Sequence, residues 1–244
     1  MRAVSLLLGL IVAASCRPAA EARHARALWD VVHGLCVVDK RLTGLPMPCT
    51  AVDLARGVAV VKDIGPTGHL LVPTRRITGI EDPAILAPAT PDYWQLAWAA
   101  RRFVERSAGR KIPRDMLALA INSRMGRSQD QLHIHVDCVQ RDVRRALADR
   151  GEGIGTRWSM IDLRGHPYHV RSLADGGLAT RSPFRLLAED GPEPGTPLGE
   201  QTMAIVGAWL PDGAPGFYLV AARQDASNHG HGEELLDHRC AVLR

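Results

Sequence analysis

The sequence has 244 residues, of which 46% are hydrophobic and 23% charged, and this composition predicts a globular protein with a sizeable core. Its 30 Lys and Arg against 26 Asp and Glu give a net charge of +4, which favours anionic ligands or a membrane surface. Aromatic residues make up only 5%, and no basic helix carries interleaved aromatics, so we expect no nucleic-acid partner.

The first residues have the pattern of an export signal. A positive start is followed by residues 3–14, which are apolar or small except for Ser5, a run too short for a comfortable membrane span. Three fates stay open: cleavage at the Ala-Glu-Ala of residues 20–22, lipidation of Cys16 after cleavage at a lipoprotein-like box, or retention as an uncleaved anchor. We therefore expect residues 1–22 to be a signal peptide or N-terminal membrane anchor, and residues 23–244 to form one functional domain.

The four remaining cysteines fit an exported protein, because an even number of cysteines in such a chain predicts two disulfides. Cys36 and Cys49 flank a short Pro-rich loop, so a bridge between them is easy to close, and Cys138 would then pair with Cys240. Three pairings are possible. A zinc site of Cys and His is the alternative, although no Cys-x-x-Cys spacing occurs.

The first half of the chain predicts a helix over residues 24–38 and then a loop over 39–56. A β-hairpin follows, with strands at 57–64 and 69–73 joined by a Gly-Pro-Thr-Gly turn. Asp92 is suited to cap the start of a helix that ends near residue 109.

Next along the chain come a buried strand at 117–122, a polar loop at 123–130, a strand at 131–137 and a helix at 141–150. The second half predicts a strand at 158–163, a helical turn at 183–190, a second hairpin with strands at 202–209 and 217–222, and a last helix at 231–239. This order of elements predicts an α+β fold with an antiparallel sheet.

The loop and strand over residues 123–137 carry the chemistry. Strand side chains alternate between faces, so Gln131, His133 and His135 share one face while the apolar residues between them face a core. An unprotonated imidazole can attack phosphorus and form a phosphoramidate, which divides one difficult displacement into two easier ones. The alternative is a metal site in which Asp137, on the same face, joins the two histidines.

The polar loop before this strand suits an anion. Backbone N–H groups around Gly126 predict an anion-binding nest, and the Ser128 hydroxyl could donate to a phosphate or a leaving oxygen. Arg124 and Arg127 add positive charge that would match the developing charge of a phosphoryl transfer.

Residues 126–136, Gly-Arg-Ser-Gln-Asp-Gln-Leu-His-Ile-His-Val, resemble the histidine-triad (HIT) signature, a Gly-x-Ser loop followed by alternating His and apolar residues. The first hairpin is similar to the nucleotide-binding hairpin of HIT proteins. More narrowly, residues 25–244 resemble the CDP-diacylglycerol pyrophosphatases, through Leu-Leu-Val-Pro-Thr-Arg-Arg-Ile-Thr-Gly (70–79), Ala-Ile-Asn-Ser-Arg (120–124), Leu-Arg-Gly-His (163–166), Arg-Ser-Pro-Phe (181–184) and Asp-His-Arg-Cys-Ala-Val-Leu-Arg (237–244).

This resemblance implies a role for each catalytic position. His133 would be the nucleophile, His135 would support the triad, and Ser128 would assist the leaving group or bind a phosphate oxygen. Gln131 stands where HIT proteins have the first His of the triad. A carboxamide can form hydrogen bonds but does not titrate near neutral pH, so activity should survive only if hydrogen bonding is the role of this position.

The resemblance also implies a substrate-binding set. Asp63 would accept hydrogen bonds from the ribose, Ile64 would contact the nucleoside, and His69 would support the histidine network. Together with the residues of the polar loop, the full predicted set is Lys62, Asp63, Ile64, His69, Asn122, Arg124, Gly126, Arg127 and His166.

The implied fold is an α+β, HIT-like antiparallel sheet with flanking helices, extended by a C-terminal β-rich half. The implied reaction is hydrolysis of the pyrophosphate bond of CDP-diacylglycerol to CMP and phosphatidate through a nucleotidyl-histidine, with no cofactor and no metal. We expect a membrane surface as partner and a location in the bacterial cell envelope, at the periplasmic face of the inner membrane; the oligomeric state stays open. Two alternatives are an exported hydrolase or transferase of soluble nucleotide phosphoesters and a nucleotide-binding relative with impaired catalysis.

Overall fold

An antiparallel sheet of ten strands runs through the fold, and the computed structural model describes residues 19–225 and 229–244. The strands are β1 (Ala51–Asp53), β2 (Val58–Lys62), β3 (His69–Pro73), β4 (Leu117–Ile121), β5 (Ile134–Val139), β6 (Ser159–Leu163), β7 (His166–Ala174), β8 (Gln201–Trp209), β9 (Pro215–Arg223) and β10 (Leu236–Asp237). They lie in the order β1-β2-β3-β5-β4-β8-β9-β7-β6, and β10 pairs with β5. Together with the helices below, this sheet confirms the α+β class.

Helices cover both faces of the sheet. The first helix has a π-helical middle, since α1 (Ala19–Trp29) continues through Asp30–Cys36 into α2 (Val37–Thr43). The other α-helices are α3 (Tyr93–Ser107), α4 (Arg141–Asp149), α5 (Gly177–Thr180) and α6 (Pro183–Asp190), and 3₁₀ turns occur at Pro83–Leu86, Arg114–Met116, Gly151–Gly153, Leu198–Glu200, Gly232–Leu235 and Ala241–Leu243.

The alternation of β5 decides which face carries the polar residues. Ile134 and Val136 belong to the apolar core under α3, together with Leu71 of β3. His135 points to the other face because strand neighbours alternate. On that face the first helix packs against β2 and β3, in a cluster that includes Val32 and Leu70.

Two disulfides fasten the sheet to its flanking segments. Cys36 is bonded to Cys49, and Cys138 of β5 is bonded to Cys240. The predicted pairing is therefore confirmed, and it is consistent with an extracellular or periplasmic protein.

Several predicted elements have different bounds. The first helix runs on to Thr43, and Gly44 ends it with a φ of 79°. The strand predicted over 131–137 begins only at Ile134 and runs to Val139. The short edge strand β1 lies within the predicted loop over 39–56, and β7 was not predicted, because its His-Pro-Tyr-His start is typical of a loop.

The helix predicted over 231–239 is wrong. A 3₁₀ turn occupies Gly232–Leu235, and β10 then pairs with β5. The Asp237 side chain accepts hydrogen bonds from the backbone N–H groups of Arg239, at 2.9 Å, and Ala241, at 2.5 Å, which turns the chain out of any helical path.

The predicted signal segment, with Cys16, lies almost wholly before the described residues. Within the ranges described, no helix combines the length and the apolar character needed to cross a membrane.

Candidate active site

Two buried imidazoles form the centre of the site, His133 just before β5 and His135 within it. Their ring centroids are 5.1 Å apart and the ring planes are inclined by 66°. The predicted sharing of one face thus brings the two rings into contact, although only His135 lies in regular strand.

His133 is held as a neutral ring. Its Nδ1 lies 2.7 Å from the backbone carbonyl oxygen of Gln131, and a carbonyl can only accept, so Nδ1 carries the proton and Nε2 keeps its electron pair. Burial and the nearby charge of His135 lower the pKa of His133 to about 4. The ring therefore offers an unprotonated nitrogen throughout the neutral range.

His135 is held as a cation between two carboxylates. Its Nδ1 lies 3.0 Å from Oδ2 of Asp63, and its Nε2 lies 2.8 Å from Oε2 of Glu233. Burial opposes a charge on this ring, but the hydrogen bond to Asp63 and the negative charges of both carboxylates outweigh it and raise the pKa of His135 to about 9.

The two contacts of His135 differ in alignment. The hydrogen bond from Nδ1 to Asp63 is well formed, whereas the Glu233 carboxylate is close to Nε2 but out of line with the N–H direction. We regard the second contact as an ion pair, because its distance is short while its angle is poor. The Nε2–H of His135 therefore has no aligned acceptor among the described residues.

Glu233 is a site residue that the sequence analysis missed. It arrives on the 3₁₀ turn before β10, and its backbone N–H donates to Oδ1 of Asn122 over 3.1 Å. Although burial opposes its charge, the contacts with His135 and Asn122 lower the pKa of Glu233 to about 2. No short-range spacing connects this residue to the histidines, so only the tertiary fold reveals it.

Gln131 is fully buried and supports the chain around the site. Its Nε2 donates to the carbonyl oxygens of Pro73, at 3.0 Å, and Arg75, at 2.9 Å. Its own backbone carbonyl orients His133. The carboxamide thus acts here through hydrogen bonds to the segment after β3.

A buried neutral imidazole, a charged imidazole and their carboxylates fit chemistry at phosphorus, and a comparison with family models decides the family. The model of the CDP-diacylglycerol pyrophosphatases matches residues 23–244. The chain belongs to the CDP-diacylglycerol pyrophosphatase family. The resemblance seen in the sequence is confirmed, and the chain is a hydrolase of CDP-diacylglycerol, with CMP as a product.

In this member of the family, the first hairpin brings only one of its predicted residues to the histidines. Asp63 contacts His135 and also accepts from the N–H of Ile64, whose side chain is 81% exposed. Lys62 closes the turn, because its Nζ donates to the carbonyl oxygens of Asp63, Gly65 and Gly68.

His69 lies on the other face of the sheet. It pairs in register with Val136, which belongs to the core under α3, and its ring lies 5.8 Å from that of Phe103. Its Nδ1 is 2.8 Å from the carbonyl oxygen of Thr67, and burial lowers the pKa of His69.

In the polar loop predicted to bind an anion, two backbone N–H groups donate hydrogen bonds within the loop itself. The N–H of Gly126 donates to Oγ of Ser123, and the N–H of Arg127 donates to the carbonyl oxygen of the same serine. A Cβ at Gly126 would lie 2.7 Å from the Gly230 carbonyl oxygen, so the loop packs closely on the segment that leads to Glu233.

The polar side chains of this loop point in different directions. Arg127 forms two 2.6 Å contacts with the Glu81 carboxylate. Arg124 and Ser128 are exposed, and no hydrogen bond between described residues joins Ser128 to His133 or His135.

A narrow cleft lies beside His133. It is too narrow for a water molecule and is lined by Gly79, Ile121, Asn122, Arg127, Gln131, Leu132 and His133. Asn122 and Arg127, both in the predicted substrate-binding set, therefore lie on the His133 side of the site.

His166 belongs to a neighbouring cluster. Its Nδ1 lies 2.9 Å from Oε1 of Glu234, which also accepts from the Tyr168 hydroxyl at 2.5 Å. Glu233 and Glu234 are adjacent in the chain, yet they serve different partners.

The metal alternative of the sequence analysis is tested by the position of Asp137. Its carboxylate contacts Thr67 and His238, and the cluster it forms with Cys138 and Cys240 contains two sulfurs that are bonded to each other. Within the ranges described, Asp137 does not converge with His133 and His135 on one point.

Proposed function

We propose that this chain hydrolyses CDP-diacylglycerol in two displacements through a nucleotidyl-histidine on His133. In the first step, Nε2 of His133 attacks the phosphorus of the CMP moiety, a P–N bond forms, and phosphatidate leaves with the electron pair of the broken P–O bond. In the second step, water attacks the same phosphorus, the P–N bond breaks, CMP is released, and the proton from water passes to solvent.

The tautomer of His133 is the observation that supports this proposal most. A nucleophilic ring needs a free electron pair and a fixed direction, and the 2.7 Å hydrogen bond to the Gln131 carbonyl provides both. Because its pKa is about 4, the ring is not lost to protonation at neutral pH.

His135 is suited to bind the phosphate that His133 attacks. Its buried Nε2–H lacks an aligned acceptor, and such a group is costly unless a ligand satisfies it. A phosphate oxygen of the substrate would take this hydrogen bond, while Asp63 keeps hold of Nδ1. The cation would then oppose the negative charge that develops during the displacement.

The intermediate can be trapped directly. CDP-diacylglycerol labelled with ³²P at the cytidylyl phosphorus would be mixed with excess enzyme and quenched in base, in which a phosphoramidate survives. We expect labelled wild-type protein and no label on His133→Ala, while a variant of the exposed His24, His24→Ala, serves as the matched control.

Hydrolysis in H₂¹⁸O tests which phosphorus is attacked. The proposal places ¹⁸O in CMP. Label in phosphatidate, or wild-type protein that never carries ³²P in a single turnover, would refute the covalent mechanism.

We also propose that a membrane surface is the partner of this domain. Six of the ten large apolar side chains that are exposed in the described ranges lie between residues 35 and 54: Leu35, Val38, Leu42, Leu45, Met47 and Leu54. We call this set the apolar patch. The first helix carries part of it, and that helix follows the apolar residues 3–14 in the chain, so residues 1–22 would bring the patch of domain 23–244 to the bilayer.

The patch can be tested with lipid vesicles. In a protein of residues 23–244, Leu42→Ser with Leu45→Ser should raise the apparent KM for CDP-diacylglycerol in vesicles about tenfold, because less apolar surface enters the bilayer. Activity on the same lipid in detergent micelles should stay unchanged. Met160→Ser, at an exposed Met outside the patch, is the control, and an equal effect of both variants would contradict the proposal.

A further inference from the structure

We propose that Glu233 is a positioning residue for this hydrolysis, whose carboxylate keeps His135 protonated and turned so that Nε2–H faces the substrate phosphate. The inference rests on the proposed two-step mechanism and adds a residue to it. The carboxylate of Glu233 lies 2.8 Å from Nε2 of His135.

The backbone at Glu233 is fixed, which a positioning role requires. Its N–H is bound by Asn122, and a Cβ at the preceding Gly232 would lie only 2.4 Å from Oγ1 of Thr202. Just beyond, the Gln140 N–H donates to the carbonyl oxygen of Leu235 over 2.9 Å. The carboxylate is therefore delivered to one place by packed backbone on both sides.

The surroundings of His135 oppose its positive charge. Burial disfavours its charge, and two further imidazoles, those of His133 and His238, stand nearby. His238 is itself paired with Asp137 over 3.1 Å, and its pKa is raised, so it adds positive charge. Asp63 holds one ring nitrogen, and Glu233 supplies the second negative charge.

The poor alignment of Glu233 fits this role. A carboxylate in line with Nε2–H would occupy the donor and compete with the substrate. Lying beside the N–H direction, it contributes its charge and leaves the donor for a phosphate oxygen.

The experiment compares Glu233→Gln with Glu234→Gln in the full chain. CMP release from CDP-diacylglycerol in detergent micelles would be followed from pH 5 to 10. Gln keeps the size of the side chain and removes its charge, and Glu234 offers a matched control because its partners are His166 and Tyr168.

For Glu233→Gln we expect a fall in kcat of about tenfold or more, with KM changed by less than about threefold. The alkaline limb of the rate profile should move from near pH 9 toward neutrality, because the pKa of His135 falls when a carboxylate is lost. Glu233→Asp should restore part of the rate, and ¹⁵N NMR of the His135 ring should show the same displaced titration. Glu234→Gln should leave the alkaline limb and the titration of His135 at their wild-type values.

Two results would overturn the inference. One is a Glu233→Gln enzyme with wild-type kcat and alkaline limb. The other is a faster enzyme, which would make Glu233 a group that blocks the phosphate position. Failure of the mechanism itself is recognised separately, since His133→Ala would then retain turnover; an inactive His133→Ala beside an unaffected Glu233→Gln would refute only the role of Glu233.

Discussion

The surroundings of His133 and of His135 differ although the two residues are neighbours on one face and are almost equally buried. At His133 the ring nitrogen meets a carbonyl oxygen, which carries no net charge, and burial then lowers the pKa. At His135 the two nitrogens meet two carboxylates, and the same burial is overcome. The comparison teaches that the polar partners of the two rings, and not the depth of their burial, make one ring neutral and the other charged.

Replacing each ring in turn gives the largest expected effect. His133→Ala should lower turnover of CDP-diacylglycerol by about 1,000-fold or more and abolish labelling of the protein, because in the proposed mechanism His133 supplies the attacking nitrogen. His135→Ala should lower turnover by about 100-fold and still become labelled slowly. CMP release and ³²P incorporation measure both effects, and a His135→Ala protein that cannot be labelled beside a His133→Ala protein that can would reverse the assignment.

The second prediction concerns Asp63, one of the two carboxylates that stabilise the charge of His135. Asp63→Asn keeps a possible acceptor for Nδ1 but removes a negative charge, so kcat should fall about tenfold. In the proposed mechanism the charged ring is the active form, and its pKa of about 9 would be lowered, so activity should be lost at a lower pH as the solution becomes alkaline. The acid limb depends on His133, to whose pKa the Asp63 charge makes only a small contribution, so it should move much less than the alkaline limb; a pH profile of kcat tests this.

An acid limb that moves as far as the alkaline limb would contradict this prediction. It would mean that the two rings titrate as one unit, and the contrast between their surroundings would then have no kinetic consequence.

The third prediction concerns stability. Gln131→Ala retains the backbone carbonyl that orients His133 but leaves the carbonyl oxygens of Pro73 and Arg75 without their buried donor. The free energy of unfolding should fall by about 1–3 kcal/mol, while the pH limbs of kcat stay unchanged. Urea unfolding measures the first effect, with Gln95→Ala at an exposed position of α3 as control. A shifted acid limb would instead give the carboxamide a direct part in catalysis.

Local sequence patterns were sufficient to predict part of the site. The alternation over 131–137 predicts that His133 and His135 share a face, and the hairpin pattern predicts the strands that carry Asp63 to its place. The disulfide pairing followed from the short loop between Cys36 and Cys49. Each of these predictions depends on neighbours in the chain or on a short closure.

The rest of the site depends on contacts between residues that are distant in sequence, which no local pattern predicts. Glu233 lies in the segment 231–239 that the sequence analysis predicted as a helix, and the pairing of β10 with β5 decided otherwise. Arg127 illustrates the same limit, because its position in a polar loop suggests a phosphate contact, whereas the fold places Glu81 against it. The protonation states of the two rings depend on such partners and therefore could not be predicted.

The position of residues 232–240 after β9 has a consequence for the time at which the chain becomes active. Domains assemble as synthesis proceeds, so β1–β9 are available before Glu233 and Cys240 have been added. A growing chain therefore contains both histidines and Asp63 while the second carboxylate of His135 is still absent. If Glu233 acts as inferred, the full rate of lipid cleavage is reached only after residues 232–240 have packed against β5, where the Cys138–Cys240 disulfide holds them.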